Sequence, residues 1–484
     1  MDLPHPGAYS IWITAVNHTL MEIPLVVDKH DSKIALNIVL KPYDFKNFFD
    51  EVKIIGSWNN FNWNIPAMMQ KQLDGTFVYE LAAPADTIGY QLLEIVESGS
   101  SVNGTSSDYY EFDGSGDYIS KLVSKDRKFR IVFDPAKLPH TQDADLPRVS
   151  FDKKHPHLGE LFGVAQRTNQ QIQDYRKSRS SYEKEHGTNK GFSYDFSPLQ
   201  TYLAAKIRDA NHAAVKQMAG MHLAYLYYFG VRLGSEVYAD IAANVPPTSA
   251  MWTLALRPVA LGMGLHELEV ARTLLENIYR QNSDRTIQAT ALAQLAFLAA
   301  LQGDETGYRA LFTELQNKYA DISDIESDRI TLDPDSPIAW GKPAPVFQIK
   351  LLDQSSSISN KSLLGRYYLI DFWATWCGPC REEMANLHDA FEKYQDHNFT
   401  IVSLSLDRQP NAIENYRKKG WAMPWHHAFI TDGWQSQLVE AFSVHMTGIP
   451  SPFLISPEGK ILASHDALRG GYLERTLAKY LGTN

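Results

Sequence analysis

The residues of this sequence that can do chemistry most directly are two cysteines, Cys377 and Cys380, three positions apart. The rest of the 484-residue chain contains no other cysteine. A structural disulfide framework would need several dispersed pairs, and a zinc site would need further Cys or His ligands at suitable spacing. The pair therefore favours reversible thiol–disulfide chemistry over its alternatives, a lone structural disulfide or a metal site. We assign no metal, and no cofactor beyond the redox-active pair itself.

The elements around the two cysteines are predicted to be a buried strand followed by a helix. The apolar run Tyr367-Tyr-Leu-Ile-Asp-Phe-Trp-Ala374 is short enough for a central strand. After the cysteines, Met384, Leu387 and Phe391 recur at helical spacing, with charged residues on the other faces. The pair is therefore expected at the N-terminus of a helix, where free N–H groups and the helix dipole stabilise a thiolate.

The spacing also predicts different roles for the two thiols. A Cys-X-X-Cys cysteine at a helix start has a lowered pKa and is a good nucleophile. We expect Cys377, the more exposed thiol, to attack a substrate disulfide, and Cys380, one turn inward, to resolve the mixed disulfide. Gly378 and Pro379 are expected to keep the intervening loop tight and to contact the substrate.

The C-terminal sequence resembles the thioredoxin superfamily, and within it the TlpA/ResA branch, from about residue 341 to 484. The run Asp371-Phe-Trp-Ala-Thr-Trp-Cys-Gly-Pro-Cys380 resembles the thioredoxin active-site strand almost residue for residue. Features typical of the TlpA/ResA branch are the start Gly341-Lys-Pro-Ala-Pro-Val-Phe347, the acidic pair Glu382-Glu383, the strand Phe399-Thr-Ile-Val-Ser-Leu-Ser-Leu-Asp407 and an inserted helix from about Asn411 to Gly420. The resemblance implies an α/β thioredoxin fold for this part.

The resemblance also implies roles for residues outside the cysteine motif. Pro450, in Thr447-Gly-Ile-Pro-Ser-Pro-Phe-Leu-Ile455, should be a cis-proline beside the cysteine pair, with the backbone of Ile449 receiving an extended substrate strand. Asp371 corresponds to the buried carboxylate that takes the proton from the inner cysteine, a role that a raised pKa would favour. Ser403 stands where thioredoxins often carry a lysine paired with this carboxylate.

Two tryptophans flank the active-site motif. Trp376 is expected to shield the thiolate and to offer apolar surface to a substrate protein, whereas packing alone would explain Trp373. His426, His427 and His445 lie in the same part of the chain, and we interpret them as surface or packing residues rather than ligands.

The first third of the chain, residues 1–137, shows the period-two alternation of a β-sandwich. The segment Val52-Lys-Ile-Ile-Gly-Ser-Trp-Asn-Asn-Phe-Asn-Trp63 resembles early-set sandwiches, including glycogen- and starch-binding modules. That resemblance implies weak glycan binding, in which Trp58 and Trp63 would stack on sugar rings if both faced one exposed side. The alternative is that these tryptophans pack the edge of the sandwich.

The middle of the chain, residues 155–331, shows helical periodicity and is predicted to be an α-helical bundle. Ala204, Ile207, Ala210 and Ala214 mark one apolar stripe. The run from Ala289 to Ala300, the pair Gly303-Asp304 and the apolar positions after them resemble one tetratricopeptide-type helical hairpin. The proline-rich segment from Leu332 to Pro345 is predicted to be an exposed linker before a thioredoxin-like domain at 338–484.

Composition limits the partners and the location of the protein. A hydrophobic content of 44% with 21% charged residues is typical of folded domains, and the net charge of −10 argues against nucleic acid as a partner. No run is long and apolar enough to span a membrane. The N-terminus lacks the basic and apolar regions of a signal peptide, which leaves two alternatives: a cytosolic protein, or a form whose signal has been removed. Because multidomain chains of this kind resemble exported bacterial proteins, we expect a periplasmic or other extracytoplasmic protein whose signal peptide is absent here.

These observations predict a multidomain thiol–disulfide oxidoreductase that reduces a disulfide-bearing client protein and is recharged by an upstream dithiol donor. Oxidation or isomerisation of disulfides is one alternative, since the motif alone does not set the direction of electron flow. A peroxidase is another, although Thr375 stands only two residues before Cys377 and no proline precedes it. The third is a non-enzymatic glycan-binding or scaffold protein that carries a thioredoxin domain.

Overall fold

The computed structural model describes residues 7–27, 33–63, 65–97, 100–114, 116–138, 148–151, 153–352 and 356–482. The sequence features at positions 1–6 lie outside these residues. By its internal contacts the chain divides into two units, Met1–Gly163 and Val164–Asn484. The second unit contains most of the helical middle segment together with the C-terminal α/β part.

The N-terminal part is built from antiparallel strands. They are β1 (Gly7–Ile13), β2 (Met21–Val27), β3 (Leu36–Val39), β4 (Lys53–Gly56), β5 (Ala67–Met68), β6 (Gln70–Lys71), β7 (Phe77–Ala82), β8 (Thr87–Leu93), β9 (Tyr109–Phe112), β10 (Tyr118–Val123), β11 (Lys128–Phe133) and β12 (Arg148–Phe151). The two larger sheets have the strand orders β5-β4-β8-β10-β9 and β11-β7-β6, and β1 pairs with β2 and β3 with β12.

The core of this part lies between the two larger sheets. Alternate residues of β11, namely Phe129, Ile131 and Phe133, are buried, because successive side chains of a strand point to opposite faces. They belong to one apolar cluster with Ile54 of β4 and Leu92 of β8. Residues of both sheets therefore share a core, which confirms the all-β sandwich expected here.

The middle of the chain is helical, as the periodicity predicts. Its helices are α1 (Pro156–His186), α2 (Ser197–Asp209), α3 (Ala213–Tyr225), α4 (Ser235–Asn244), α5 (Trp252–His266), α6 (Leu268–Gln281), α7 (Arg285–Gln302), α8 (Glu305–Tyr319) and α9 (Glu326–Thr331). In the described ranges, no helix has both the length and the apolar character that crossing a membrane requires.

The hairpin predicted around Gly303-Asp304 is present. Helix α7 ends at Gln302 and is capped by Gly303, whose positive φ of 82° suits a glycine. The Asp304 carboxylate caps α8 by accepting from the Gly307 N–H. Helix α7 packs against both α6 and α8.

The apolar stripe predicted through Ala204, Ile207, Ala210 and Ala214 is interrupted, so it does not describe one continuous helix. Helix α2 ends at Asp209, and α3 starts at Ala213 after a short break. The His212 ring caps α3 by accepting from the Ala214 N–H at 3.2 Å. A side-chain cap of this kind stabilises a new helix start, which the spacing of the apolar residues does not reveal.

The C-terminal part mixes strands and helices around a central sheet. Its elements are β13 (Gln348–Lys350), β14 (Ser357–Ser359), α10 (Asn360–Leu363), β15 (Tyr367–Trp373), α11 (Gly378–Tyr394), β16 (Phe399–Ser405), α12 (Pro410–Lys419), β17 (His426–Phe429), α13 (Gln437–Ala441), α14 (Val444–Thr447), β18 (Ser451–Ile455), β19 (Ile461–Ser464) and α15 (Gly471–Leu481). The sheet order is β17-β16-β15-β18-β19, in which β16 runs parallel and β18 antiparallel to β15. Strand β15 is thus central, as its apolar run predicts, and α12 is the expected insertion.

The segment between α9 and β13 is packed, so the expectation of an exposed linker was wrong. Leu332, Ile338 and Ala339 are buried. The Trp340 indole donates to the Ser464 hydroxyl at 3.0 Å, and the Gly341 N–H donates to a carbonyl of β19. The prolines prevent a helix or strand from forming in this segment. The apolar residues between them are nevertheless buried, because removing their surface from water is favourable.

Helix α15 joins the C-terminal sheet to the helical segment within the second unit. Tyr472 is fully buried, and its hydroxyl donates to the Leu261 carbonyl of α5 at 2.9 Å. Its ring makes an edge-to-face contact with Phe297 of α7, with the centroids 5.6 Å apart. The Lys479 ammonium donates to the Leu301 carbonyl at 2.7 Å. The helical segment is therefore packed directly onto the domain that carries the cysteines.

Candidate active site

The two cysteines form a disulfide at the start of α11, where the sequence places them. Cys377 is the N-cap of this helix, and its Sγ accepts from the Cys380 N–H at 3.1 Å. Pro379 occupies the first turn, where its missing N–H leaves no helical hydrogen bond unmade. After reduction, the same N–H group and the helix dipole would stabilise a Cys377 thiolate.

Both sulfurs are well covered, and the order of their exposure is the predicted one. Cys377 is 5% exposed and Cys380 is 1% exposed. Trp376 is 54% exposed beside them, and Pro379 is exposed as well. Trp373, by contrast, is fully buried in the core, in line with a packing role. Trp376 and Pro379 thus form accessible surface next to a nearly covered sulfur.

The loop before β18 lies against the cysteine pair. The Ile449–Pro450 peptide bond is cis, which confirms the expectation drawn from the resemblance. The Sγ of Cys377 lies 3.7 Å from the Ile449 carbonyl oxygen. Ile449 and Pro450 are both half-buried, so the loop borders the disulfide without covering it completely.

Asp371 is a buried carboxyl group in the middle of the central sheet. It is 3% exposed, and its Oδ2 has no hydrogen-bond partner among the described residues. Burial and, to a smaller extent, the Glu383 carboxylate raise the pKa of Asp371 to about 7, while the Arg469 guanidinium lowers it. A carboxyl group with a pKa near neutrality can both hold and release a proton at physiological pH.

Ser403 lies directly opposite Asp371, on the parallel strand β16. Its hydroxyl accepts from the Trp425 indole N–H at 2.9 Å rather than contacting a lysine. The charged groups that act on Asp371 instead come from α11 and from the segment before α15. The sequence reasoning noted Glu383 only as part of a family pattern and missed Arg469, because proximity across the fold leaves no local signal.

The Thr375 side chain is hydrogen-bonded to Asp407 rather than to a cysteine sulfur. Its hydroxyl donates to the Asp407 carboxylate at 2.6 Å, and its N–H donates to the same carboxylate. A peroxidase would need a hydroxyl directed at the reacting sulfur, so this arrangement argues against the peroxidase alternative.

One contact with the active-site turn comes from the helical segment and was also missed. Arg179 of α1 is 9% exposed, and its guanidinium donates to the Gly378 carbonyl at 3.3 Å. The two residues are 199 positions apart in sequence. Arg179 sits in a polar stretch of α1, where a solvated charge is the ordinary interpretation.

The two tryptophans considered for glycan binding lie in different environments. Trp58 is half-buried and stacks on Tyr79, with ring centroids 5.4 Å apart and an interplanar angle of 29°. Trp63 is 52% exposed. One ring of the pair is therefore already packed against the sandwich, as the alternative interpretation expects.

A central sheet with a cis-proline loop beside a disulfide at a helix N-terminus defines a thioredoxin-like redox domain. Residues 340–464 match the AhpC/TSA family. The thiol–disulfide oxidoreductase ResA of Bacillus thuringiensis subsp. konkukian is 28% identical over 141 residues, which cover 29% of this chain and 76% of ResA. ResA of Bacillus anthracis is 30% identical over 123 residues, covering 25% of this chain and 66% of that protein.

A solved structure is also similar. The thioredoxin domain of a thiol–disulfide oxidoreductase from Bacteroides vulgatus is 30% identical and covers 30% of this chain and 99% of that domain, with a TM-score of 0.27. The family and ResA matches concern the C-terminal part of the chain. The C-terminal domain is thus thioredoxin-like, and the ResA proteins to which it is similar are thiol–disulfide oxidoreductases.

Proposed function

We propose that this protein reduces disulfide bonds in client proteins with the Cys377/Cys380 dithiol. The observation that carries this proposal is the position of the pair. Cys377 caps the start of α11 and lies 3.7 Å from the carbonyl that precedes the cis-proline Pro450. This arrangement supports both a stabilised thiolate and a backbone edge, at Ile449, against which an extended client strand can align.

The proposed reaction has two exchange steps. In the first, the Cys377 thiolate attacks one sulfur of the client disulfide, forms a mixed disulfide, and expels the other client sulfur as a thiolate. In the second, the Cys380 thiolate attacks the Cys377 sulfur and expels the second client thiolate. Two electrons pass to the client, and the Cys377–Cys380 disulfide forms. A dithiol donor must then reduce that disulfide again.

Asp371 is proposed to accept the proton of the Cys380 thiol before the second step. Cys380 is nearly fully buried, so its thiolate is costly to form without a nearby base. Burial raises the pKa of Asp371 to about 7, which makes the carboxylate a stronger base than an exposed one. Trp376, exposed beside the pair, is proposed to supply apolar contact with the client.

A trapping experiment tests the order of the two thiols. In the Cys380→Ser variant the resolving thiol is absent, so a reduced Cys377 should accumulate as a stable mixed disulfide with a disulfide-bearing model protein. The matched Cys377→Ser variant should form none. Mass spectrometry under non-reducing conditions measures both. Equal trapping by the two variants, or catalysis retained in Cys377→Ser, would contradict the proposed roles.

The direction of electron flow is tested by the reduction potential of the pair. The Gly378-Pro379 dipeptide resembles that of reducing thioredoxins, whose potential is about −270 mV, rather than that of oxidants near −120 mV. Equilibration of the full chain in defined glutathione buffers, followed by thiol trapping, gives the value. A potential above about −150 mV would indicate that the protein forms disulfides in its clients rather than reducing them.

We further propose that the protein works outside the cytoplasm. Both cysteines belong to the active pair, so the chain has no other thiol that could form a wrong disulfide in an oxidising compartment. Its partners there would be a disulfide-bearing client and an upstream dithiol donor. Fractionation of source cells with an antibody to the full chain tests the location, and recovery in the cytosol alone would contradict it.

Weak glycan binding by the sandwich is a separate proposal that rests on the exposed ring of Trp63. Calorimetric titration of the full chain with a soluble α-glucan should give heat that the Trp63→Ala variant loses. Absence of heat at millimolar sugar would remove the proposal.

A further inference from the structure

The active-site turn of this protein is contacted by a buried cation from outside the thioredoxin-like domain. Arg179 lies near the C-terminal end of α1, and its Nη2 donates to the carbonyl of Gly378, the residue directly after Cys377. The same guanidinium pairs with Glu382, four residues further along α11. The charge is therefore fixed at the helix end on which the nucleophilic cysteine sits.

Other contacts hold this guanidinium in place. The Glu183 carboxylate accepts from Arg179 at 3.0 Å and from Arg381 at 2.7 Å, so it bridges α1 and α11. The Asn189 side chain donates to the Arg381 carbonyl at 2.7 Å and accepts from the Trp421 indole at 2.8 Å. Polar contacts from the helical segment therefore hold the start of α11 in place. A small movement of this helix end would also shift the loop that carries the cysteines.

We propose that Arg179 is a positioning residue through which the helical segment sets the reduction potential of the Cys377–Cys380 pair. This inference rests on the proposed function, because it concerns the redox equilibrium of the same two thiols. A positive charge near Cys377 stabilises its thiolate and hence the reduced form of the pair. Glu382, one helical turn further along α11, carries the opposite charge and therefore acts on the Cys377 thiolate in the opposite direction.

The equilibrium that reports this effect is exchange with glutathione. The Cys377–Cys380 disulfide takes two electrons and two protons from two glutathione thiols, giving the protein dithiol and glutathione disulfide. Stabilising the Cys377 thiolate shifts this equilibrium toward the dithiol and makes the potential less negative. Removing the stabilising cation shifts it back toward the protein disulfide.

Two substitutions of opposite charge test the proposal in the full chain. Arg179→Gln should lower the equilibrium constant for reduction about three- to tenfold, which corresponds to about 15 to 30 mV toward more reducing potentials. Glu382→Gln should shift it in the opposite direction, because it leaves the guanidinium unopposed. The pKa of Cys377, read from the pH dependence of alkylation by iodoacetamide, should rise in the first variant and fall in the second.

The opposite signs separate an electrostatic role from a purely structural one. Loosening of the turn alone would move both variants in the same direction. Arg176→Gln is the matched control, since Arg176 is exposed one turn earlier on the same helix, and it should leave the potential unchanged. Arg179→Lys, which keeps the charge but loses the planar fork, should shift less than Arg179→Gln.

The outcomes distinguish this inference from the proposed function. If the wild-type pair does not exchange with glutathione, the proposed function fails, and the inference fails with it. If the wild type exchanges normally but Arg179→Gln and Glu382→Gln keep its potential, or shift it in the same direction, the inference alone is overturned. Should Arg179→Gln not fold, Glu382→Gln still decides, because the Glu382 side chain is 39% exposed and glutamine has nearly the same size and shape.

Discussion

The buried carboxyl group of Asp371 gives the protein a stability that should depend on pH in a defined way. Asp371→Asn keeps the shape of the side chain and removes its ionisation. We expect the variant to be more stable than the wild type above neutral pH, where the wild type must carry a buried carboxylate with an unpartnered oxygen. In acid the two proteins should become more alike.

The magnitude follows from the shifted pKa of Asp371. Folding raises this pKa from 3.8 to about 7, a change of about three units, and each unit corresponds to about 1.4 kcal/mol. A raised carboxyl pKa means that the folded state holds the proton more tightly. Its contribution to stability is therefore fully present below pH 3.8 and is lost as the pH rises to about 7. The loss is at most about 4 kcal/mol at pH 8 and less than half of that at pH 5.

The assay is urea unfolding of the oxidised proteins at pH 5 and pH 8, with the midpoint and slope compared between wild type and variant. The gain in the free energy of unfolding from Asp371→Asn should be larger at pH 8 by about 2 kcal/mol. Asp396→Asn is the control, since Asp396 is exposed after α11, and it should give no such difference. A gain that is equal at the two pH values, or larger at pH 5, would refute the reasoning.

Three further substitutions test the packing and the proposed client surface. Tyr472→Phe removes the hydroxyl that donates to the Leu261 carbonyl, and it should lower the free energy of unfolding by about 1 kcal/mol in urea; an unchanged value would mean that the contact is absent in solution. Gly262→Ala places a Cβ 1.8 Å from the Tyr238 hydroxyl and should destabilise the helical segment by about 1–3 kcal/mol, measured in the same way; a neutral result would show that Tyr238 moves aside freely. Trp376→Ala should raise KM for a folded disulfide-bearing client severalfold without altering exchange with glutathione, and an equal effect on both would argue against a docking role.

The parts of the fold that the sequence predicted are those with a strong local pattern. Periodicity predicted strand β15 from its apolar run and helix α11 from the helical spacing after Cys380. Periodicity and capping residues together predicted the hairpin at Gly303-Asp304. The cis-proline was predictable only through the resemblance, because nothing in the local sequence around Pro450 distinguishes cis from trans.

The features that the sequence did not predict depend on tertiary contacts. The break before α3 is stabilised by a histidine cap, and the proline-rich segment after α9 is buried because Leu332 and Ile338 fit the core. The contact of Arg179 with Gly378 joins residues 199 positions apart. A charge in a polar helix usually faces water, so its burial against the active-site turn becomes visible only once both elements are placed.

In the proposed mechanism, the two thiols of the pair depend on charged groups from different parts of the chain. Asp371 and Glu383 belong to the thioredoxin-like domain itself, and the buried Asp371 is the residue proposed to accept the proton of the inner thiol, Cys380. Arg179 comes from the helical segment and meets the turn at the residue after Cys377. Proton transfer to and from Cys380 should therefore be a property of the domain, whereas the stability of the Cys377 thiolate also depends on how the helical segment docks. A change that alters this docking would change the potential of the pair while leaving the pH dependence set by Asp371 in place.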